Sequence, residues 1–283
     1  LADRLAALRD LSGRLEPHPR LLSWGVNHLQ LSGDELQRWA AQAWWGIAAG
    51  ELAMHELHQE EQRPRFLALV DEPDWGVIDQ ARAQGGAILA TAHLGPRKTA
   101  MHYCLTQPWP WMLWTHYNGP EPPLLASRKG LEVLDPMDAA TSSFILGRTA
   151  FHLREGGLLF AAPDGSSGAR TIVLERLGRP WSFSLGVPVL ARRLKVPVFL
   201  LLALWRGSRI RLEIQPFEPP SPDLPEAEWL QAWIERYWTA LEQVITSSPE
   251  NLRFLRWMFS TEEVDALLAP AGFGAEGLPL TVR

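Results

Sequence analysis

Two polar residues stand where apolar runs end. His93 follows "AILATA" (87–92), and Asp164 follows "LLFAAP" (158–163). In an α/β protein a buried-strand pattern that breaks at a proton-carrying side chain marks a place for chemistry, because ligands bind outside the carboxyl ends of the strands. If the two runs are parallel strands, both side chains emerge on one rim. A neutral imidazole there suits the removal of a proton from a hydroxyl or amine attacking a carbonyl, since its ordinary pKa lies near neutrality. Such a base needs an acceptor on its other ring nitrogen, and Asp164 is the candidate for that role. A histidine after a strand is also commonly structural, so the pair is an expectation about chemistry and not yet a site.

The charges that follow His93 have the wrong sign to assist it. In "HLGPRKTA" the next ionisable residues are Arg97 and Lys98. If Pro96 opens a helix, Lys98 falls in its first turn, where the macrodipole disfavours a cation by about 0.3–1 kcal/mol. An ammonium cannot accept the His93 N–H, and two cations suit a phosphate or another anion instead. Backbone N–H groups near Gly95 are the expected oxyanion donors. Gly165 belongs to "DGSSGA" (164–169), which reads as a substrate loop: it lacks the lysine of a P-loop and the spacing of a dinucleotide fingerprint.

Other signals carry less. His55 and His58 are three apart in "HELHQEE" (55–61), whereas a zinc protease helix needs two histidines four apart. No metal site is expected. No Gly-x-Ser-x-Gly elbow supports a serine hydrolase. Cys104 reads as a small buried side chain, and His102 as a packing or surface residue. His116 stands at a strand end near the same rim and is taken as a substrate contact.

The elements that must position these residues read as α/β, with a largely parallel central sheet flanked by helices and an N-terminal helical layer over residues 1–60. Runs at 87–92, 111–114, 158–163 and 196–205 are expected strands, alternating with helices near 97–105, 141–154 and 184–195. "RIRLEI" after the short "RGS" turn alternates as an antiparallel strand with one wet face. Ser32-Gly33-Asp34-Glu35 fits a capping box, followed by an apolar stripe through Leu36, Ala40, Ala43, Ile47, Met54 and Leu57. The proline-rich stretch 216–225 is a loop. A last helix carries Trp229, Trp233, Tyr237, Leu241 and Val244 on one face. Residues 1–283 are expected to form one domain with a loose tail at 270–283.

Composition narrows the classes. A net charge of −5 argues against nucleic acid as a partner, which calls for a basic footprint. One cysteine excludes an internal disulfide framework and fits a reducing compartment. The run at 196–205 is about half of the ~20 residues a spanning helix needs, and no signal-peptide pattern opens the sequence. The expected location is cytoplasmic or peripheral to the inner face of a membrane. The 14 tryptophans suit a core first and an apolar-ligand groove second.

Several blocks in order resemble the lipid A late acyltransferases (lauroyl/myristoyl acyltransferases) of the lysophospholipid acyltransferase superfamily, from about residue 31 to 260. "GGAILATAHLGP" is similar to their strand-then-histidine block and "REGGLLFAAPDG" to their Gly-Gly-strand-Asp block. "LGRPWSFSLGVPVLARRLKVPVFLLLALWRGSRIRLEI" and "SPENLRFLRWMF" resemble later blocks. The resemblance implies transfer of a fatty acyl group from a thioester, on acyl carrier protein or coenzyme A, to a hydroxyl or amine, with no further cofactor. It makes His93 the catalytic histidine of a His-x4-acid motif and Asp164 the aspartate after the later strand.

The chain departs from the family at the acid itself, where Lys98 stands, and at a commonly basic position, where it has Thr115-His116. Three readings follow from that departure. In one, Asp164 or another carboxylate such as Glu175 replaces the missing acid, while Arg97 and Lys98 bind the phosphate of a pantetheine arm or an anionic acceptor. In the second, the chain keeps an acyl-binding groove and has lost turnover, serving to bind a lipid, a carrier protein or a partner. In the third, it performs a different acyl transfer.

Overall fold

The computed structural model describes residues 1–96, 98–115, 129–136, 138, 144–165, 170–252 and 266–272. The calls at Arg97 and His116 lie outside these residues, as do most of the 164–169 loop and of the tail.

The chain opens with α1 (Ala2–Ser12), α2 (Pro19–Leu29) and α3 (Gly33–His58), which form the N-terminal helical layer. Ala40, Ala43, Ile47, Met54 and Leu57 of α3 are buried as the stripe requires. Ser32 occupies the N-cap, but its hydroxyl makes no capping bond; only its carbonyl serves, accepting the Leu36 N–H at 3.3 Å. The capping box fails because it requires helical backbone from the first position, and Gly33 there has φ +53°.

After α4 (Arg63–Leu67), β1 (Val70–Asp71) and α5 (Gly76–Ala83) come β2 (Ala87–Ala90), α6 (Lys98–Cys104), β3 (Trp111–Trp114) and β4 (Leu131–Leu134). Then follow α7 (Ile145–Arg154), β5 (Leu158–Ala161), the hairpin of β6 (Thr171–Arg176) and β7 (Arg179–Ser184), and α8 (Gly186–Leu194). The described order closes with β8 (Val198–Arg206), β9 (Arg209–Pro216), α9 (Glu226–Ser247) and 3-10 turns at Pro249–Asn251 and Ala269–Ala271. The seven-stranded sheet runs β1-β9-β8-β2-β5-β3-β4. It is mixed and mostly parallel: β2 pairs in parallel with β8 and β5, β3 with β5 and β4, and β9 turns back antiparallel on β8.

Strands flanked on both sides and covered on both faces read as unbroken apolar runs. β2 and β5 are buried at every position. β9 shows the alternation expected of a wet face, with Ile210 and Leu212 buried and Arg209 and Arg211 exposed. The sheet's helical cover is largely aromatic. Trp45 of α3 meets Trp205 of β8 edge to face at 5.3 Å, and Trp233 stacks on Tyr237 within α9. Every described tryptophan except Trp75 and Trp114 is buried, so tryptophan here builds core. No helix of the described residues is long and apolar enough to cross a membrane.

Candidate functional site

β2 and β5 lie side by side in parallel, with Ala87 opposite Leu158 and Ala90 opposite Ala161. The same offset of 71 residues carries past the strand ends. Thr91 N–H donates to the Ala161 carbonyl at 2.9 Å, and two residues later the pairing passes to side chains. The His93 backbone N–H donates to Asp164 Oδ2 at 2.7 Å, and His93 Nδ1 lies 3.0 Å from Asp164 Oδ1. A register fixed by buried apolar residues thus delivers a histidine and a carboxylate to one rim.

The two members differ in exposure. The Asp164 side chain is 2% exposed and that of His93 30%. A carboxylate buried this deeply is tolerable only when bonded and paired, and His93 supplies two of its contacts. A carboxylate can only accept, so Nδ1 carries the hydrogen and the neutral ring keeps its lone pair on Nε2. That is the tautomer a general base needs.

A third residue joins from α9. Tyr237 is wholly buried, and its hydroxyl donates to the Thr91 carbonyl at 2.7 Å. Burial pushes its pKa well above the ordinary phenol value, and the adjacent Asp164 charge and hydrogen bond push it further. The phenol therefore ties α9 to the end of β2 beside the Asp164 carboxylate.

The N–H of Gly95 itself donates to the Asn251 carbonyl at 2.8 Å, so the oxyanion donors expected near Gly95 do not include its own N–H. The Gly95 backbone takes φ +49°, and a side chain there would run into the Ala203 carbonyl and come within 2.9 Å of Asn251 Oδ1. Gly95 is a close-approach residue that lets the His93 loop pack against β8. Asn251 is itself fully buried, its Oδ1 accepting the Trp205 N–H at 2.7 Å, and it joins the His93 loop to β8. The turn bearing Asn251 rests on α3, where a Cβ on Gly46 would strike the Glu250 backbone.

Lys98 is half-buried at the start of α6. Its charge bears on His58 and His102 among other groups: burial first, then basic neighbours including Lys98 and Arg63, hold both rings below the usual imidazole value. His102 is buried in the core and not on the surface. Gly165 follows Asp164 in a turn, half-buried, its N–H directed at the Ala162 carbonyl at 3.4 Å. Glu175 stands exposed on β6 opposite Pro180, so the carboxylate brought to His93 is that of Asp164. Cys104 is buried, as a packing residue would be. A cleft of about 310 Å³, lined by residues including Leu200, Phe217, Glu218 and Arg236, opens elsewhere; neither His93 nor Asp164 lines it.

Tyr237 and Asn251 are site residues that the motifs did not single out. Tyr237 was legible only as part of the apolar face of α9, and Asn251 only as a member of the "SPENLRFLRWMF" block.

No family model matches the sequence. Over 243 residues the chain is 22% identical to the Vi polysaccharide export protein VexE of Salmonella typhi, an alignment covering 82% of this chain and 35% of that protein. The chain therefore spans about a third of the length of the curated relative it matches.

Proposed function

We propose that the chain is an acyl-transfer domain in which His93 is the general base and Asp164 replaces the acid missing from position 98. The observation that carries the reading is the doubly bonded His93–Asp164 pair at the carboxyl end of two adjacent parallel strands. The ordered sequence blocks that resemble lipid A late acyltransferases support it. So does the distant similarity to VexE, whose name ties it to polysaccharide export and favours a saccharide-bearing acceptor with a free hydroxyl or amine.

In the proposed reaction His93 Nε2 accepts the proton of the acceptor O–H or N–H as that oxygen or nitrogen bonds to the thioester carbonyl carbon. The carbon–sulfur bond then breaks, and the imidazolium returns its proton to the leaving thiolate. Asp164, itself buried, keeps the ring in the correct tautomer and stabilises the imidazolium. Gly165 and Arg97, His116 and Lys98 are assigned to substrate contact. Acyl carrier protein or coenzyme A is the donor carrier, and a membrane surface is a peripheral contact.

The second reading, binding of an acyl chain or carrier protein without turnover, is favoured by Lys98 at the acid position and by a relative named for export and not for transfer. Product analysis by mass spectrometry, with acyl thioesters and a panel of glycolipid and amino-sugar acceptors, separates the two. Acylated product that disappears in His93→Ala supports transfer. Tight donor binding with no product from any acceptor supports the binding reading.

A further inference from the structure

Beside the His93 loop, α3 and α6 meet across polar faces. The last turn of α3 carries His55 and His58; α6 opens with Lys98 and places Thr99 and His102, three residues apart, on one face. The rings of His58 and His102 meet edge to face with centroids 6.4 Å apart. His102 is 1% exposed and Thr99 fully buried, yet among the described residues neither ring nitrogen of His102 nor the Thr99 hydroxyl has a hydrogen-bond partner. Buried polar groups left in that condition are costly, and a ligand, an ion or an ordered water can complete them.

The surroundings decide the sign of that ligand. Arg63 is anchored by Nε–H donation to the Leu57 carbonyl at 3.0 Å, at the end of α3. Its charge and that of Lys98 act on both His58 and His102, and His55 acts on His58. The charges that act on the two rings are those of basic residues, which disfavours a metal ion; among the described residues no group of three or more His, Cys, Asp or Glu could hold one. His58 lies exposed at the mouth, with Arg63 and Lys98 half-exposed beside it.

The geometry points to a seat for a phosphate group formed by His58, Arg63 and Lys98 above the buried His102. A phosphate offers several acceptor oxygens to donors converging from different sides, the arrangement a guanidinium, an ammonium and an imidazole on separate elements provide. Lys98 lies five residues after His93, and Thr99 N–H bonds back to the Pro96 carbonyl at 2.8 Å, so seat and base share one short loop. The seat deepens the transfer reading and rests on it for its role: the phosphate belongs either to the pantetheine arm of the donor or to a phosphorylated acceptor.

The test follows the ring signals of His58 and His102 by NMR, at fixed ionic strength, during titration with inorganic phosphate, 4′-phosphopantetheine, pantetheine and glucosamine 1-phosphate. The three phosphate compounds shift both rings and pantetheine does not. Lys98→Gln and Arg63→Gln each weaken phosphate binding by about tenfold while remaining folded by circular dichroism. Tighter binding of phosphopantetheine assigns the seat to the donor, and tighter binding of glucosamine 1-phosphate assigns it to the acceptor. Pantetheine shifting the rings as phosphate does, or wild-type phosphate affinity in both variants, overturns the seat. Binding is read without turnover, so a protein that binds phosphate here but transfers no acyl group refutes only the reaction. One that transfers acyl groups yet shows no phosphate response refutes only the seat.

Discussion

Asp164 holds His93 at two points, accepting the backbone N–H at 2.7 Å and lying 3.0 Å from Nδ1. The backbone contact fixes where the residue sits, and the ring contact fixes which nitrogen carries hydrogen. Nitrogen NMR of the His93 ring at neutral pH is therefore expected to show a single tautomer protonated at Nδ1. In Asp164→Asn the carboxamide can present a donor to the ring, and the Nε2-protonated form is expected to appear.

Tyr237→Phe removes the hydroxyl that bonds the Thr91 carbonyl at 2.7 Å and touches Asp164. The buried Thr91 carbonyl loses its donor, so chemical denaturation is expected to show a loss of about 1–3 kcal/mol. The same variant is expected to alter the His93 ring signals, a readout that loss of packing elsewhere in α9 would leave unmoved.

His102 makes stability depend on pH with a definite sign. Burial, then His58, Arg63 and Lys98, lower its pKa from 6.5 to about 3. Below about 6.5 the unfolded chain binds a proton that the folded chain refuses, so stability falls by up to about 1.4 kcal/mol per pH unit as pH drops from 6.5 toward 3, then levels off. His58 and His152 add to that loss in the same direction. His102→Leu is expected to flatten the slope in denaturation curves collected between pH 7 and 4.

Two glycines with left-handed backbone separate strain from crowding. Gly33 has φ +53° with open space around it, whereas Gly95 has φ +49° and is crowded by Ala203 and Asn251. Gly33→Ala is expected to cost about 1 kcal/mol. Gly95→Ala is expected to cost about 2–4 kcal/mol in thermal or chemical unfolding, since strain and overpacking add.

What the sequence made legible was the buried middle of the sheet. The β2, β3, β5 and β8 runs are apolar because flanking strands and helices cover them, and the chain order of those runs alone placed His93 and Asp164 on one rim. The sheet margins were not legible. β1 is two residues long, and β4 is half-exposed at its first three positions. The β6–β7 hairpin turns on Leu177-Gly178, with φ of 48° and 67°, a primed turn without the Asn-Gly or Asp-Gly signal. The close packing of Gly95 was not legible because its partner, Asn251, lies 156 positions further along the chain. Tyr237 joins the site through a contact that spans 146 positions of the chain, and no local pattern encodes such a meeting. The burial of His102 likewise depends on α3, a separate element.

The central claim is that His93 works as a base because Asp164, and not a residue at position 98, orients it. Its most direct test is kcat for acyl transfer from a thioester to an accepted acceptor, compared among wild type, His93→Gln and Asp164→Asn. The expected result is turnover in the wild type and a fall of about 10²–10⁴ in each variant, with donor binding retained. Turnover that persists in Asp164→Asn at the wild-type rate would contradict the account.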